Sequence, residues 1–142
     1  MRLTPGCGRM KNASRNPQGE DVKLSIVIEV YNESEALPVS IDRLMKLRDI
    51  PDNFTLKAES IMIDDGSTDG SNGVTANFKD VTVVRHRRRR GYGASSRTGF
   101  RTCKGDFIGS IDGDNTYDPM YFAKLLDMLI RGCKDMVFAD RM

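Results

Sequence analysis

Two carboxylates separated by one glycine, Asp112 and Asp114, close an apolar run that contains Phe107, Ile108 and Ile111. Carboxylates crowded where a strand leaves a sheet are costly unless a cation sits between them. A hard divalent ion, Mg2+ or Mn2+, with phosphate oxygens completing its shell meets that need. The bland alternative is an ordinary Asp/Gly turn, which is what an isolated Asp-Gly-Asp most often is. An EF-hand calcium loop is excluded, because its sixth position would be Tyr117 instead of Gly and its twelfth Ala123 instead of Glu.

Three further groups carry candidate chemistry. Asp64-Asp65 precedes Gly66-Ser67-Thr68-Asp69-Gly70, where Ser67 and Asp69 suit a turn and a helix cap. Two successive Asp at a strand end exceed what a turn needs, and such a carboxylate could accept hydrogen bonds from a nucleobase N–H or from ribose hydroxyls. Tyr31 follows another apolar run; it either covers the sheet or offers a stacking platform to a base, a contact of about 1–3 kcal/mol. Gly91-Tyr92-Gly93 opens a helix and could present N–H groups to phosphate. Ser96 stands where a dinucleotide fingerprint has its third glycine, and no G-x-x-x-x-G-K-[ST] occurs, so a phosphate-loop NTPase is excluded.

Arg85-His86-Arg87-Arg88-Arg89-Arg90 is either a solvated loop or a neutraliser of phosphates. Against anionic lipid head groups each arginine is worth roughly 1 kcal/mol. Nucleic acid is not expected as a partner, since Tyr92 is the only aromatic near the run and the net charge is only +2. His86 is given no role, its charge being disfavoured among so many guanidiniums.

Apolar patterning supplies the elements that must hold these groups. Strands are expected at Leu24–Val30, Leu56–Ile63, Val81–Val84 and Phe107–Ile111, with a last short one at Met136–Ala139. Helices are expected from the Asn32–Glu35 region to about Leu47, over Ser71–Phe78, over Ala94–Lys104 with a small-residue face (Ala94, Ser95, Thr98, Gly99), and from Pro119 to Gly132. Asp49 to Asn53, with Pro51, makes a return loop. The alternation predicts an α/β fold, a mostly parallel sheet flanked by helices on both faces. Ligands of such sheets bind at the carboxyl ends of the strands, where Tyr31-Asn32-Glu33, Asp64-Asp65 and Asp112-Gly113-Asp114 would converge.

The 142 residues suffice for one domain with a sizeable core, and 39% hydrophobic with 30% charged content is ordinary for a globular protein. No apolar run approaches the roughly 20 residues of a membrane span. Residues 1–21 are read as a flexible leader and 22–142 as the domain, with no signal peptide. Cys7, Cys103 and Cys133 have no metal spacing and fit a reducing, cytoplasmic setting.

Taken together, Ile26 to Glu33, Ile63 to Gly70, Gly91 to Phe100 and Gly105 to Asp114 resemble the inverting family-2 glycosyltransferases of the GT-A (Rossmann-like) fold. The nearest likeness is to polyprenyl-phosphate sugar transferases of the dolichol-phosphate mannose synthase type. The resemblance implies a nucleotide site of Val30, Tyr31, Glu33, Asp64, Asp65, Gly91, Gly93 and Arg97, with Tyr31 and Glu33 on the nucleoside and Asp65, beside Asp64, on the base. It implies catalytic and metal-binding roles for Asp112 and Asp114. Asp112 would face the ribose or donor sugar, and Asp114 would hold Mg2+ or Mn2+ against the diphosphate. The implied donor is a UDP- or GDP-linked sugar. The implied acceptor is a polyprenyl phosphate at the cytosolic face of a membrane, where the domain would be peripheral. Glu29 departs from the family's usual Pro and puts a charge near the pocket or at the strand edge. The chain is expected to be the nucleotide-binding half, truncated before the acceptor half. Two other readings stay open: a non-catalytic module that binds a nucleotide sugar, and a basic surface-interaction protein.

Overall fold

A computed structural model describes residues 21–49, 55–132 and 134–139. The expected leader, most of the Asp49–Asn53 return loop, Cys7 and Cys133 lie outside the described residues. Four strands form one sheet in the order β3-β2-β1-β4: β1 (Asp21–Val30), β2 (Thr55–Asp64), β3 (Val81–Arg85) and β4 (Phe107–Asp112). All three pairings are parallel. Four α-helices connect and cover them: α1 (Leu37–Met45), α2 (Ser71–Thr75), α3 (Tyr92–Thr102) and α4 (Tyr121–Gly132), with a 3-10 turn at Lys46–Asp49.

The chain steps one way across the sheet from β1 to β3, then returns past β1 to β4. Right-handed crossovers require the returning helix to lie on the opposite face. Accordingly Leu24, Ile26, Ile28 and Val30 of β1 join Leu37, Ile41 and Leu44 of α1 in the main core, with Val74, Phe78 and Phe122 packed against it. Val27, Ile61 and Ile63 point the other way and form a second cluster with Val84 and Cys103. Burying each such Leu or Ile is worth about 1.5–3 kcal/mol. Helix α3 lies close because Gly99 has no side chain, and a Cβ there would sit 2.3 Å from Val27 Cγ1. The expected small-residue face is therefore the packing face, with Ser95 and Gly99 buried.

Two expectations need correction. The helices start or stop a few residues away from the periodicity, and α1 finishes as a 3-10 turn at Lys46–Asp49. More significantly, Met136–Ala139 is not a strand. It pairs with no strand among the described residues, and Met136 and Phe138 stay 76% and 79% exposed. Four residues of strand-like composition do not hold an extended conformation without a ladder partner.

Candidate functional site

Strand order reverses between β1 and β4, the place beyond the carboxyl ends where sheets of this kind bind ligands in a crevice. Three loops form its rim. Asn32 takes a left-handed turn (φ 55°) directly after Tyr31. Its backbone N–H donates to Ser67 Oγ at 3.0 Å, and its side-chain Oδ1 accepts from the Thr68 N–H at 2.9 Å. The Glu33 N–H donates to Ser71 Oγ at 3.0 Å and the Ser34 N–H to Asp69 Oδ2 at 2.9 Å. Asp69 also accepts from the Ser71 hydroxyl, and these hydrogen bonds, the Ser71 hydroxyl's first among them, hold its carboxyl far below the usual carboxylate range. The third loop is tied on by the Gly113 N–H donating to Glu29 O at 2.9 Å and by Ser40 Oγ donating to Gly113 O at 3.0 Å. The polar residues after β2, expected to be turn and cap chemistry, are thus the cross-links that fix the β1 loop.

At this rim stand Tyr31, Glu33, Asp112 and Asp114. Burial raises the Glu33 carboxyl above its ordinary value, and the charges of Asp114, Asp69 and Asp112 push it the same way. The edge is therefore acidic. Asp114 Oδ1 accepts from the Thr116 N–H at 2.8 Å, an Asx turn that orients the carboxylate. Among the described residues no group of three or more His, Cys, Asp or Glu side chains could hold a metal ion by itself. Two hard oxygen donors on an electrostatically crowded edge fit a Mg2+- or Mn2+-type ion that takes the rest of its ligands from phosphate and water.

Asp64 and Asp65 behave differently from expectation. Asp64 is 1% exposed; its Oδ1 accepts from the Ser67 N–H at 2.7 Å and its Oδ2 lies 3.2 Å from Arg85 Nε. Asp65 is 4% exposed, and both its oxygens are engaged. Oδ1 faces His86 Nδ1 at 2.7 Å and accepts from the Arg90 N–H at 2.9 Å, while Oδ2 accepts from the Gly91 N–H at 2.7 Å. Burial alone would raise the Asp65 carboxyl; the His86 bond and the two backbone N–H groups outweigh it and hold it low. Asp65 thereby anchors the arginine loop, while Asp64 spends Oδ1 on the Ser67 N–H and keeps a buried Oδ2 without a hydrogen bond beside Arg85. Gly91 likewise spends its N–H on Asp65 and has none left for phosphate, whereas Gly93 lies in the first turn of α3.

The arginine run is more than a solvated loop. Gly66 (φ 78°) passes so close to it that a Cβ would meet the Arg88 carbonyl carbon at 2.8 Å. Arg89 lays its guanidinium 4.2 Å above the Tyr31 ring centre, a cation–π contact that covers one ring face. His86, given no role from sequence, is buried between Asp65 and Thr98 Oγ1 (3.0 Å). The available signal was positional: His86 follows β3 as Asp65 follows β2, and these strands are neighbours. Arg97 lines a groove along α3 with Arg90 and Arg101. Val30 is buried and supports Gly113 from below.

Glu29 is neither at a strand edge nor open to the crevice. It lies in central β1, 7% exposed, and accepts from Ser96 Oγ at 2.8 Å and Ser110 Oγ at 3.0 Å. Burial raises its carboxyl, the serine hydrogen bonds offset part of this, and the Asp112 charge adds to the rise. An acid whose folded-state value is raised loses stability for the fold as pH climbs past its ordinary value near 4.5. Glu29→Gln keeps an oxygen for both serines and is expected to melt higher than the parent at pH 7, with the gap closing as pH falls toward 4.5. Melting curves between pH 4 and 8 check this, and a lower melting point for the variant at pH 7 would contradict it.

Comparison with known proteins adds the following. The sequence profile described as "Glycosyl transferase family 2" matches residues 25–142. An undecaprenyl-phosphate 4-deoxy-4-formamido-L-arabinose transferase of Aeromonas hydrophila is 35% identical over 121 residues. That match covers 79% of this chain but 35% of the relative, so the chain spans about a third of the curated relatives' length. A mannosyltransferase from Pyrobaculum calidifontis, solved in complex with GDP-Man and Mn2+, superposes with a TM-score of 0.60 at 22% identity over 81% of this chain and 32% of that one. Glucosyl-3-phosphoglycerate synthase from Mycobacterium tuberculosis, in complex with Mn2+ and UDP-glucose, gives 0.64 at 24% identity over 78% and 40%. The fold is therefore the GT-A fold, as expected.

Proposed function

This chain belongs to glycosyl transferase family 2, and from that membership we propose that it binds the donor for an inverting, metal-assisted sugar transfer to a polyprenyl phosphate. The observation that carries the reading is the acidic rim of Glu33, Asp112 and Asp114 beside the Tyr31 ring, at the crevice between β1 and β4. Tyr31 would stack on the nucleobase, its other face held by Arg89. Glu33 would meet the nucleoside, and Asp112 the ribose or donor sugar. Asp114, with Asp112, would hold Mg2+ or Mn2+; bound there, the ion neutralises charge on the departing diphosphate. Mn2+ is named with two structural neighbours and undecaprenyl phosphate with a relative, which supports both choices.

In the transfer, an acceptor oxygen forms a bond to the anomeric carbon from the face opposite the diphosphate. The carbon–oxygen bond to the diphosphate breaks, and the nucleoside diphosphate leaves with the electron pair. A phosphate acceptor is already anionic near neutral pH and needs little help from a general base. We place the chain at the cytoplasmic face of a membrane as a peripheral domain; among the described residues no helix is long and apolar enough to cross one.

Thermal melting with UDP or GDP plus Mn2+ tests the donor site, and no protection by either nucleotide rejects it. Incubation with labelled UDP- or GDP-sugar and undecaprenyl phosphate then tests transfer. Nucleotide protection without a labelled lipid product leaves a donor-binding module.

A further inference from the structure

Charge is distributed very unevenly along this chain. Val81 to Gly105 holds eight of the 22 Lys and Arg residues and none of the 20 Asp and Glu. The fold concentrates part of that charge in one place. Arg90, Ala94, Arg97, Thr98, Arg101 and Thr102 line a groove of about 310 Å3 beside α3. Arg97 and Arg101 are one turn apart and share a helix face, and Arg90 closes the upper end just before the helix begins. No carboxylate among the described residues pairs with any of the three, while Arg85 nearby is held by Asp64.

Three guanidiniums side by side without a counter-charge repel one another, and that repulsion is relieved when an anion binds between them. Guanidinium forks match phosphate oxygens in geometry as well as charge. The hydroxyl of Thr98 is engaged with Ala94 O and His86, and that of Thr102 with Thr98 O, so the walls are fixed by internal bonds and the arginines alone are left to meet a ligand. None of the crevice residues Tyr31, Glu33, Asp112 and Asp114 lines this groove.

We propose that the α3 groove is a second, metal-independent site that binds a phosphate group through Arg90, Arg97 and Arg101, separate from the donor crevice. The phosphate is that of a lipid head group or of a free phosphate compound; the chemistry recognised is the same. This assignment does not depend on the chain being a transferase.

The test uses the chain in EDTA, so that metal-assisted binding at the acidic rim is silent. Inorganic pyrophosphate is titrated calorimetrically, and vesicles of phosphatidylcholine with about 30% phosphatidic acid are co-sedimented with the protein. Wild-type protein is expected to bind, Arg97→Glu and Arg101→Glu to weaken binding at least tenfold, and Asp114→Asn to leave it unchanged. Arg101→Lys retains part of the affinity, since a point charge stays without the fork. Arg101→Gln replaces the reversal if Arg101→Glu alters melting without ligand. Vesicle binding that pyrophosphate competes away identifies lipid phosphate as a source; pyrophosphate binding without vesicle binding identifies a free phosphate. The proposal is overturned if neither probe binds, if the arginine variants bind like wild type, or if Asp114→Asn abolishes the binding instead.

Discussion

Asp114→Asn is expected to weaken Mn2+-dependent binding of UDP or GDP by about a hundredfold or more, and to lower transfer at least as much where transfer occurs. The substitution is unusually clean. Asp114 uses Oδ1 to accept from the Thr116 N–H, and an asparagine oxygen can do the same, so the turn survives. What is lost is one unit of negative charge at the place where the cation would sit. Without ligand the variant should be at least as stable as the parent, because Asp114 is among the charges that raise the Glu33 carboxyl. The measurement pairs melting in EDTA with nucleotide titration in Mn2+. Unchanged nucleotide affinity in the variant would remove Asp114 from the metal site and with it the proposed geometry.

The same electrostatics explain why the rim is shaped before any ligand arrives. Glu33, Asp69 and Asp114 come from three different loops and Asp112 from the end of β4, yet Glu33 senses the charge of the other three. Their mutual repulsion is opposed by the hydrogen bonds that lash Asn32, Glu33 and Ser34 to Ser67, Asp69 and Ser71. Such a site holds its acidic groups in place without a cation and gains when one binds, as preorganised charge should.

Much of this was legible in the sequence, and for definite reasons. Strand and helix order followed from apolar periodicity, because each element has one buried face and the parallel arrangement follows from alternation. The convergence of Tyr31, Glu33, Asp112 and Asp114 followed from their place just beyond strand ends. What periodicity cannot encode is which way a strand-end side chain turns once neighbouring loops compete for it. Asp65 looked like a base acceptor, but the N–H groups of Arg90 and Gly91 and the ring of His86 reach it from 21 or more residues away. Arg97 looked like a pocket residue, yet helix phase sets it beside Arg101 along the groove. The failure of Met136–Ala139 has a simpler cause, since a strand is defined by its neighbour and local composition does not supply one.

His86→Ala is expected to destabilise the fold by about 3 kcal/mol, the second-largest effect foreseen here, because it strips a buried carboxylate of its partner. Asp65 is acceptor-only, so His86 Nδ1 must carry the proton between them. On the far side of the ring Nε2 lies 3.0 Å from Thr98 Oγ1, whose hydroxyl is held by Ala94 O, so the imidazole is fixed from both sides. Removing the ring leaves Asp65 with only the Arg90 and Gly91 N–H groups and opens a void behind the arginine loop. Asp65→Asn should cost a similar amount, since an amide NH2 would then face the Gly91 N–H or the imidazole. If the pair acts as one unit, the double variant will lose far less than the two singles together, with a coupling of about 2 kcal/mol or more. The pH dependence has a definite sign: the Asp65 carboxyl is held below 3.8, so its contribution is present above that value and fades as pH falls through its lowered one. Urea unfolding at pH 7 and pH 3 supplies the energies. Trypsin supplies an independent readout, because a loop released from Asp65 should be cut within Arg87–Arg90 about tenfold faster or more, tracking the population of the open form. A His86→Ala protein as stable and as trypsin-resistant as the parent would show that the loop is held by its backbone contacts alone, and that the Arg89 seat on Tyr31 does not depend on the buried pair.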